Sequence, residues 1–243
     1  MAQVKQYCFH HVPKTAGSSL QLRLAHREWA GELPTGSTLV VYPFKGDTRF
    51  YRVADDPEFD PDSTIRSAFE RTYNKPRTKR NASIVSGHLT TRAQAGKHYT
   101  WLREPLERDI SHFNYDMKSN STTSRNFYKH IRNMAGNFQV LWLYGRYLGL
   151  NDSPTIEQKY RRVADELRKR VTVFDNDRFE DSWDTICSEL EISAEPRLNS
   201  NEGGSDYVKH VTRADLPDDF VKWHRQYNHY DYLLYQEFCK SNH

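Results

Sequence analysis

The residues best suited to chemistry stand close to the N-terminus, in the run His10-His11-Val12-Pro13-Lys14-Thr15-Ala16-Gly17-Ser18-Ser19-Leu20. Tyr7 to Val12 is aromatic and β-branched and reads as a buried strand. Pro13 ends it, because proline cannot donate to a sheet ladder. Leu20, Leu22 and Leu24 then lead into a helix predicted from about Ser18 to Trp29. A strand, a turn of small residues and a helix start together aim backbone N–H groups, and the positive end of the helix dipole, at an anion. Lys14 adds a full positive charge, and the hydroxyls of Thr15, Ser18 and Ser19 add donors. Two readings of these residues stand side by side. One is a phosphate cradle built from Lys14, Thr15, Ala16, Gly17, Ser18 and Ser19; the other is an ordinary strand-to-helix turn with Ser18 as the helix N-cap. A nucleotide-triphosphatase loop fits neither, since its lysine follows the glycines and here Lys14 precedes the single Gly17.

Two further places carry chemistry. Arg103 follows a strand predicted over His98 to Leu102, and Pro105 opens the next helix, where its missing N–H costs nothing. Ser111 lies about 9 Å further along that helix at the usual rise per residue. An arginine fork and a serine hydroxyl at that separation can meet one phosphate. Alternatively, Arg103 pairs on the surface with Glu104 or Glu107 and Ser111 is simply solvated. His88 follows Ser86-Gly87 at the end of a short strand predicted over Ala82 to Val85. Histidine is the usual base near neutral pH, but the chain has eleven. His10, His11 and His112 compete with His88 for that role, and one of the pair His10 and His11 must point into the core.

Taken together, these segments resemble sulfotransferases that use 3′-phosphoadenosine 5′-phosphosulfate (PAPS), in the carbohydrate branch that includes the heparan sulfate 2-O-sulfotransferases and their bacterial relatives. His10-His11-Val12-Pro13-Lys14-Thr15-Ala16-Gly17-Ser18-Ser19 is similar to that family's 5′-phosphosulfate loop. Leu102 to Phe113 (LREPLERDISHF) matches its R-x-P-x-x-R-x-x-S-x-[YF] pattern, and Asn137-Phe138-Gln139 its N-x-Q. The resemblance implies a P-loop-like α/β domain over residues 1–243, with a central parallel sheet flanked by helices. It implies PAPS as cosubstrate, without a metal. Lys14 to Ser19 would hold the 5′-phosphate, with Lys14 also countering charge on the leaving oxygen. Arg103 and Ser111 would hold the 3′-phosphate, and His88 would be the base that activates a hydroxyl acceptor, expected to be a carbohydrate or glycoconjugate.

The remaining text supplies the elements that must position these groups. Strands alternate with helices, which favours a parallel sheet covered on both faces, with ligands beyond the carboxyl ends of the strands. A second strand is expected at Thr38 to Phe44, a loop over 45–63 and a helix over Ser63 to Asn74. Helices are also expected over Pro105 to Met117, Ser124 to Ala135, Phe138 to Leu148, Thr155 to Arg170, Phe179 to Leu190 and Pro217 to Cys239. A last strand is expected at Val171 to Phe174, followed later by a loop over Ser193 to Asp206.

Composition narrows the function classes. Apolar residues make up 37% of the chain, and 13% aromatics supply bulk for a core. A net charge of +3 is too mild to imply nucleic acid, and Lys75, Arg77, Lys79 and Arg80 read as a solvated cluster or as a docking patch for an anionic acceptor. Cys8, Cys187 and Cys239 are too few and too scattered for a disulfide framework or a zinc site. No apolar run is long enough to span a membrane, and no leader is visible, which points to the cytoplasm; a Golgi location would require a removed anchor. Two other functions fit part of the pattern: an ATP-dependent kinase of the P-loop type, and a non-catalytic binder of anionic glycans or nucleotides.

Overall fold

In a computed structural model of the chain, the described residues are 6–33, 38–44, 47–51, 83–88, 90–118, 125–194 and 210–240. The first strand, β1 (Tyr7–His10), is every residue buried. It is paired in parallel on one side with β4 (Ile84–Gly87) and on the other with β5 (Lys97–Leu102). Beyond β4 lie β2 (Thr38–Phe44), parallel to it, and β3 (Asp47–Tyr51), antiparallel to β2 at the edge. β6 (Val171–Asp175) closes the other side, parallel to β5. The order is β3-β2-β4-β1-β5-β6, five parallel strands and one antiparallel edge. This is the α/β class that alternation of strands and helices implied.

The chain builds from β1 toward the β2 edge and then returns across β1 to β5 and β6. β1 therefore stands at the reversal of strand order, where open parallel sheets bind ligands. In β5, alternate side chains serve opposite faces. Tyr99 and Trp101 join Tyr7 and Phe9 against Leu20 and Leu24 of α1 (Gly17–Trp29) and Trp183 and Ile186 of α6 (Phe179–Leu190). Leu102, with Val12, packs on the other face. There it meets α4 (Phe138–Trp142), its continuation Leu143–Tyr147, α5 (Ile156–Arg170) and α8 (His229–Tyr235). A third cluster joins α2 (Pro105–Lys118), α3 (Phe127–Asn133) and α7 (Asp218–Tyr227) through Leu106, Ile110, Phe113, Phe127, Ile131 and Phe220. α1 is also fastened by charge: buried Arg23 forks onto both carboxylate oxygens of Glu180 at 2.9 and 2.6 Å.

Several boundaries differ from the sequence reading. The polar stretch expected to be a loop from residue 45 contains β3, because pairing with the open edge of β2 outweighs its polar composition. The helix expected over Ser63 to Asn74 and the basic residues Lys75 to Arg80 lie outside the described residues. The helix expected from Ser124 begins at Phe127, where the Asn126 side chain caps the Lys129 N–H. Phe138 to Leu148 starts as an α-helix but widens into a π-helical turn at Leu143–Tyr147. The C-terminal helix breaks at Asn228, whose side chain accepts from the Asn137 N–H at 2.8 Å.

Under the central strand the polar core is a chain of neutral rings. The His98 Nε2–H donates to the Gln94 carbonyl (2.9 Å), which leaves His98 Nδ1 to accept from His10 Nε2 (2.9 Å). His10 Nδ1 is then the acceptor for the Thr90 hydroxyl at 2.7 Å. Burial, with His98 beside it, lowers the His10 pKa to about 3. Between the ordinary histidine value and that figure, the unfolded chain binds a proton that the folded chain refuses. Stability must therefore fall as pH drops through this range, by about 1.4 kcal/mol per pH unit for this histidine. Urea unfolding between pH 7 and 4 checks this, and His10→Gln should flatten the slope by about one proton.

Candidate active site

Parallel register assembles the site. His10 pairs with Gly87 on one side and with Thr100 on the other, so the residues just past these strands fan out along one edge of the sheet. Lys14 and Thr15 leave β1, His88 leaves β4, and Arg103 leaves β5. The Arg103 guanidinium donates to the Lys14 carbonyl at 3.4 Å, and its buried Nε has no hydrogen-bond partner among the described residues. The alternative that pairs Arg103 with Glu104 or Glu107 is not what the fold adopts. Arg213 approaches both of those carboxylates instead, at 3.4 and 3.9 Å.

The turn between β1 and α1 is strained. Lys14 and Ala16 have φ of +70° and +60°, a left-handed conformation that is uncommon for residues with a Cβ and that concentrates at functional sites. Gly17 has a different purpose. A Cβ at position 17 would sit 2.1 Å from the His11 ring, so the glycine makes room for that imidazole. The Thr15 hydroxyl donates to the Val12 carbonyl at 2.7 Å, so it holds the turn closed. Ser19 is half-buried at the start of α1. Ser18 falls within α1, and its side chain lies outside what the structure describes. Ser111 lies half-buried on α2.

The electrostatics are those of a crowded cationic cleft. Lys14 is depressed to about 8, first by burial and then by Arg103 and Arg108, with Asp116 opposing. Its ammonium lies 4.0 Å from the ring centre of Tyr115, an exposed tyrosine on α2. Both neighbouring histidines are held neutral. His11 is pushed well below its ordinary value by burial, His88 and Lys14. His88 is lowered to about 4 by burial and by Arg146. Their rings meet edge-on at 4.3 Å, and the His88 ring also meets Trp142 at 5.3 Å. His10 belongs to the core, and His11 turns toward Lys14 and His88.

His112, Asp116 and His130 bring three potential metal-ligand atoms within 4.8 Å of one another. Their surroundings do not suit a cation. Arg108 donates to His112 Nδ1 at 3.2 Å, which leaves the proton of the neutral ring on Nε2, facing Asp116 at 3.6 Å. A metal on Nε2 would force the ring proton onto Nδ1, against the guanidinium, whereas metal-bound histidines normally donate to an acceptor there.

The sequence reading gave Asn137-Phe138-Gln139 no task and missed Asp231 altogether. The Gln139 side chain accepts from the Arg103 N–H (3.1 Å) and donates to the Arg103 carbonyl (2.8 Å), clamping that residue's backbone. Gln139 is itself seated by Asp231, whose two oxygens accept the N–H groups of Gln139 and Val140 at 2.9 and 2.8 Å. Asn137, at φ +58°, accepts from the Tyr230 N–H at 2.7 Å. Burial raises the Asp231 carboxyl to about 7, against these two donors. Only the N-x-Q spacing hinted at this chain of contacts.

No protein-family model matches the chain, and no match was found among curated proteins. Among solved structures, a sulfotransferase from Alicyclobacillus acidocaldarius is similar over 96% of each chain, at 15% sequence identity and a TM-score of 0.42. So distant a likeness leaves the functional reading to the residues themselves. Among the described residues, no helix is long and apolar enough to cross a membrane.

The clamp on Arg103 has a measurable consequence. Gln139→Leu keeps the side chain's bulk but strands the Arg103 N–H and carbonyl, and should cost about 1–3 kcal/mol in urea unfolding. An unchanged midpoint would rule out the clamp.

Proposed function

We propose that the protein is a sulfotransferase that moves a sulfuryl group from PAPS to a hydroxyl acceptor. The observation that carries this reading is the convergence of Lys14 and Arg103 from two separate chain segments onto one edge of the sheet, with the Arg103 Nε buried and unpartnered among the described residues. Like charges are brought together at a cost, which a polyanionic ligand offsets. A donor with phosphates at both ends of one nucleoside suits two such cations, and the resemblance of both motifs to the PAPS-dependent family names that donor. The residues present fit it. Lys14 and the N–H groups of the Thr15 to Ser19 turn would hold the 5′-phosphate, and Arg103 with Ser111 the 3′-phosphate. The reading places the donor as cosubstrate and assigns no metal.

In this reading His88 accepts the proton of the acceptor hydroxyl. The new O–S bond forms as the S–O bond to the 5′-phosphate breaks, in line, and Lys14 neutralises the charge left on that phosphate. The acceptor class proposed is a carbohydrate or glycoconjugate, on the same resemblance, and the location proposed is the cytoplasm.

Three experiments test this. Lys14→Ala should lower kcat by about 10²–10³-fold while weakening binding of the desulfated product PAP much less, by calorimetry; equal losses would reduce Lys14 to an anchor. Because Lys14 loses its proton near pH 8, wild-type affinity for PAP should decline above that pH, and the decline should vanish in the variant. Arg103→Ala should bind PAP and AMP about equally, whereas wild type should prefer PAP; a preserved preference would move the 3′-phosphate site elsewhere.

A further inference from the structure

Two helix N-termini in this structure cap one another. The N-cap residues of α4 and α8, Asn137 and Asn228, make no side-chain cap to their own helices; each helix draws on the other. Asp231 on α8 accepts the Gln139 and Val140 N–H groups of α4 at 2.9 and 2.8 Å. In return, Asn137 accepts the Tyr230 and Asp231 N–H groups of α8 at 2.7 and 3.2 Å. Asn228 completes the exchange by accepting the Asn137 N–H at 2.8 Å. The positive ends of both helix dipoles thus meet around one carboxylate, Asp231, which is 2% exposed. The neighbouring buried carboxylate, Asp109, is taken up by Arg108 and His224.

This exchange governs a residue at the edge of the site. The β5–β6 ladder ends at Leu102, so the Arg103 main chain has left the sheet. Gln139 serves it instead, accepting from the Arg103 N–H at 3.1 Å and donating to the Arg103 carbonyl at 2.8 Å. Gln139 is itself fully buried, and its own N–H is one of the two that Asp231 holds. A short run of hydrogen bonds therefore joins the α8 carboxylate to the backbone that carries the guanidinium. The guanidinium makes a long contact, 3.4 Å to the Lys14 carbonyl, and its Nε has no partner among the described residues. A side chain so lightly tethered takes its aim from its backbone, and misplacing such a group by about 1 Å can cost on the order of a hundredfold.

We infer that Asp231 is a positioning residue for the donor site: by seating the N-terminus of α4 it fixes where Arg103 aims, and so sets the preference for a nucleotide that carries a 3′-phosphate. This rests on the reading of Arg103 as the 3′-phosphate contact. Asp231 touches no ligand and acts through Gln139. Both of its oxygens are in use, so neither an amide nor a longer acid replaces it. Asparagine turns one acceptor into a donor facing an N–H, and glutamate displaces both oxygens by a methylene.

Calorimetric affinities of the full chain for PAP and AMP test this. Asp231→Asn and Asp231→Glu should each narrow the preference for PAP over AMP by about tenfold, the worth of one charge-assisted hydrogen bond, with AMP affinity little changed. Leu234→Val trims the buried packing of the same helix without touching the carboxylate; it should lose stability and keep the preference. An undiminished preference in either Asp231 variant, or an equal narrowing in Leu234→Val, would overturn the positioning role. If neither Asp231 variant folds, amide hydrogen exchange in the wild-type protein decides. At matched saturation PAP should slow exchange at Gln139 and Val140 more than AMP does, because a ligand held by Arg103 stabilises the bonds behind it; equal protection by the two nucleotides would overturn the role. The donor reading fails separately. An Arg103→Ala variant that still prefers PAP removes the 3′-phosphate assignment and the role of Asp231 with it. Loss of the preference there, with the preference intact in the Asp231 variants, removes the role of Asp231 alone.

Discussion

Repulsion between Lys14 and Arg103 is the constraint that the rest of the molecule answers. Among the described residues neither side chain forms an ion pair with a carboxylate, Asp116 acting on Lys14 only at longer range, yet burial and the sheet register bring their segments into direct contact. What opposes the repulsion is backbone and packing. β1 is pinned between two parallel strands, α1 is tied down by Arg23 and Glu180, and the Arg103 main chain is gripped by Gln139. Holding charges apart from their counterions in this way preorganises a field, which is worth more at a dry site than the same charges would be in water.

That field is kept in place by a buried polar layer reaching far from it. Arg108 is bonded to Asp109, and its guanidinium lies 3.6 Å from the ring centre of Phe138. Asp109 also meets His224 at 3.0 Å; burial alone would raise this carboxyl, but Arg108 and His224 bring it below its ordinary value. Asp231 seats Gln139 from the other side. α8 is thus connected to Arg103 through Asp231 and Gln139, and α7 reaches Arg108 through His224 and Asp109. Substitutions in this layer should be felt as misplacement of the cations, since a half-satisfied buried network loses its geometry first.

Much of this was legible in the sequence. Alternating strand and helix patterns gave the parallel sheet, and the residues at strand ends gave Lys14, His88 and Arg103 a shared edge. Local text also marked a helix from Thr155 and the start of α2 at Pro105. What it could not give was long-range. β3 forms because β2 has an open edge, which no local propensity reports. Asp231 is an ordinary acidic residue of a C-terminal helix until folding sets it under α4, more than ninety positions away. Nor could the text say why residue 17 is glycine. It read as one small residue of the turn, whereas the left-handed residues are Lys14 and Ala16 and the glycine leaves room for the His11 ring.

Positions 11 and 17 occupy one volume between them. The imidazole that borders both Lys14 and His88 fits only because its neighbour lacks a side chain, so position 17 cannot gain one while the ring stays. In a library randomised at both sites, members that keep a ring at position 11 should keep glycine at 17. A design that transplants the lysine turn to another scaffold with its imidazole must carry the glycine with it.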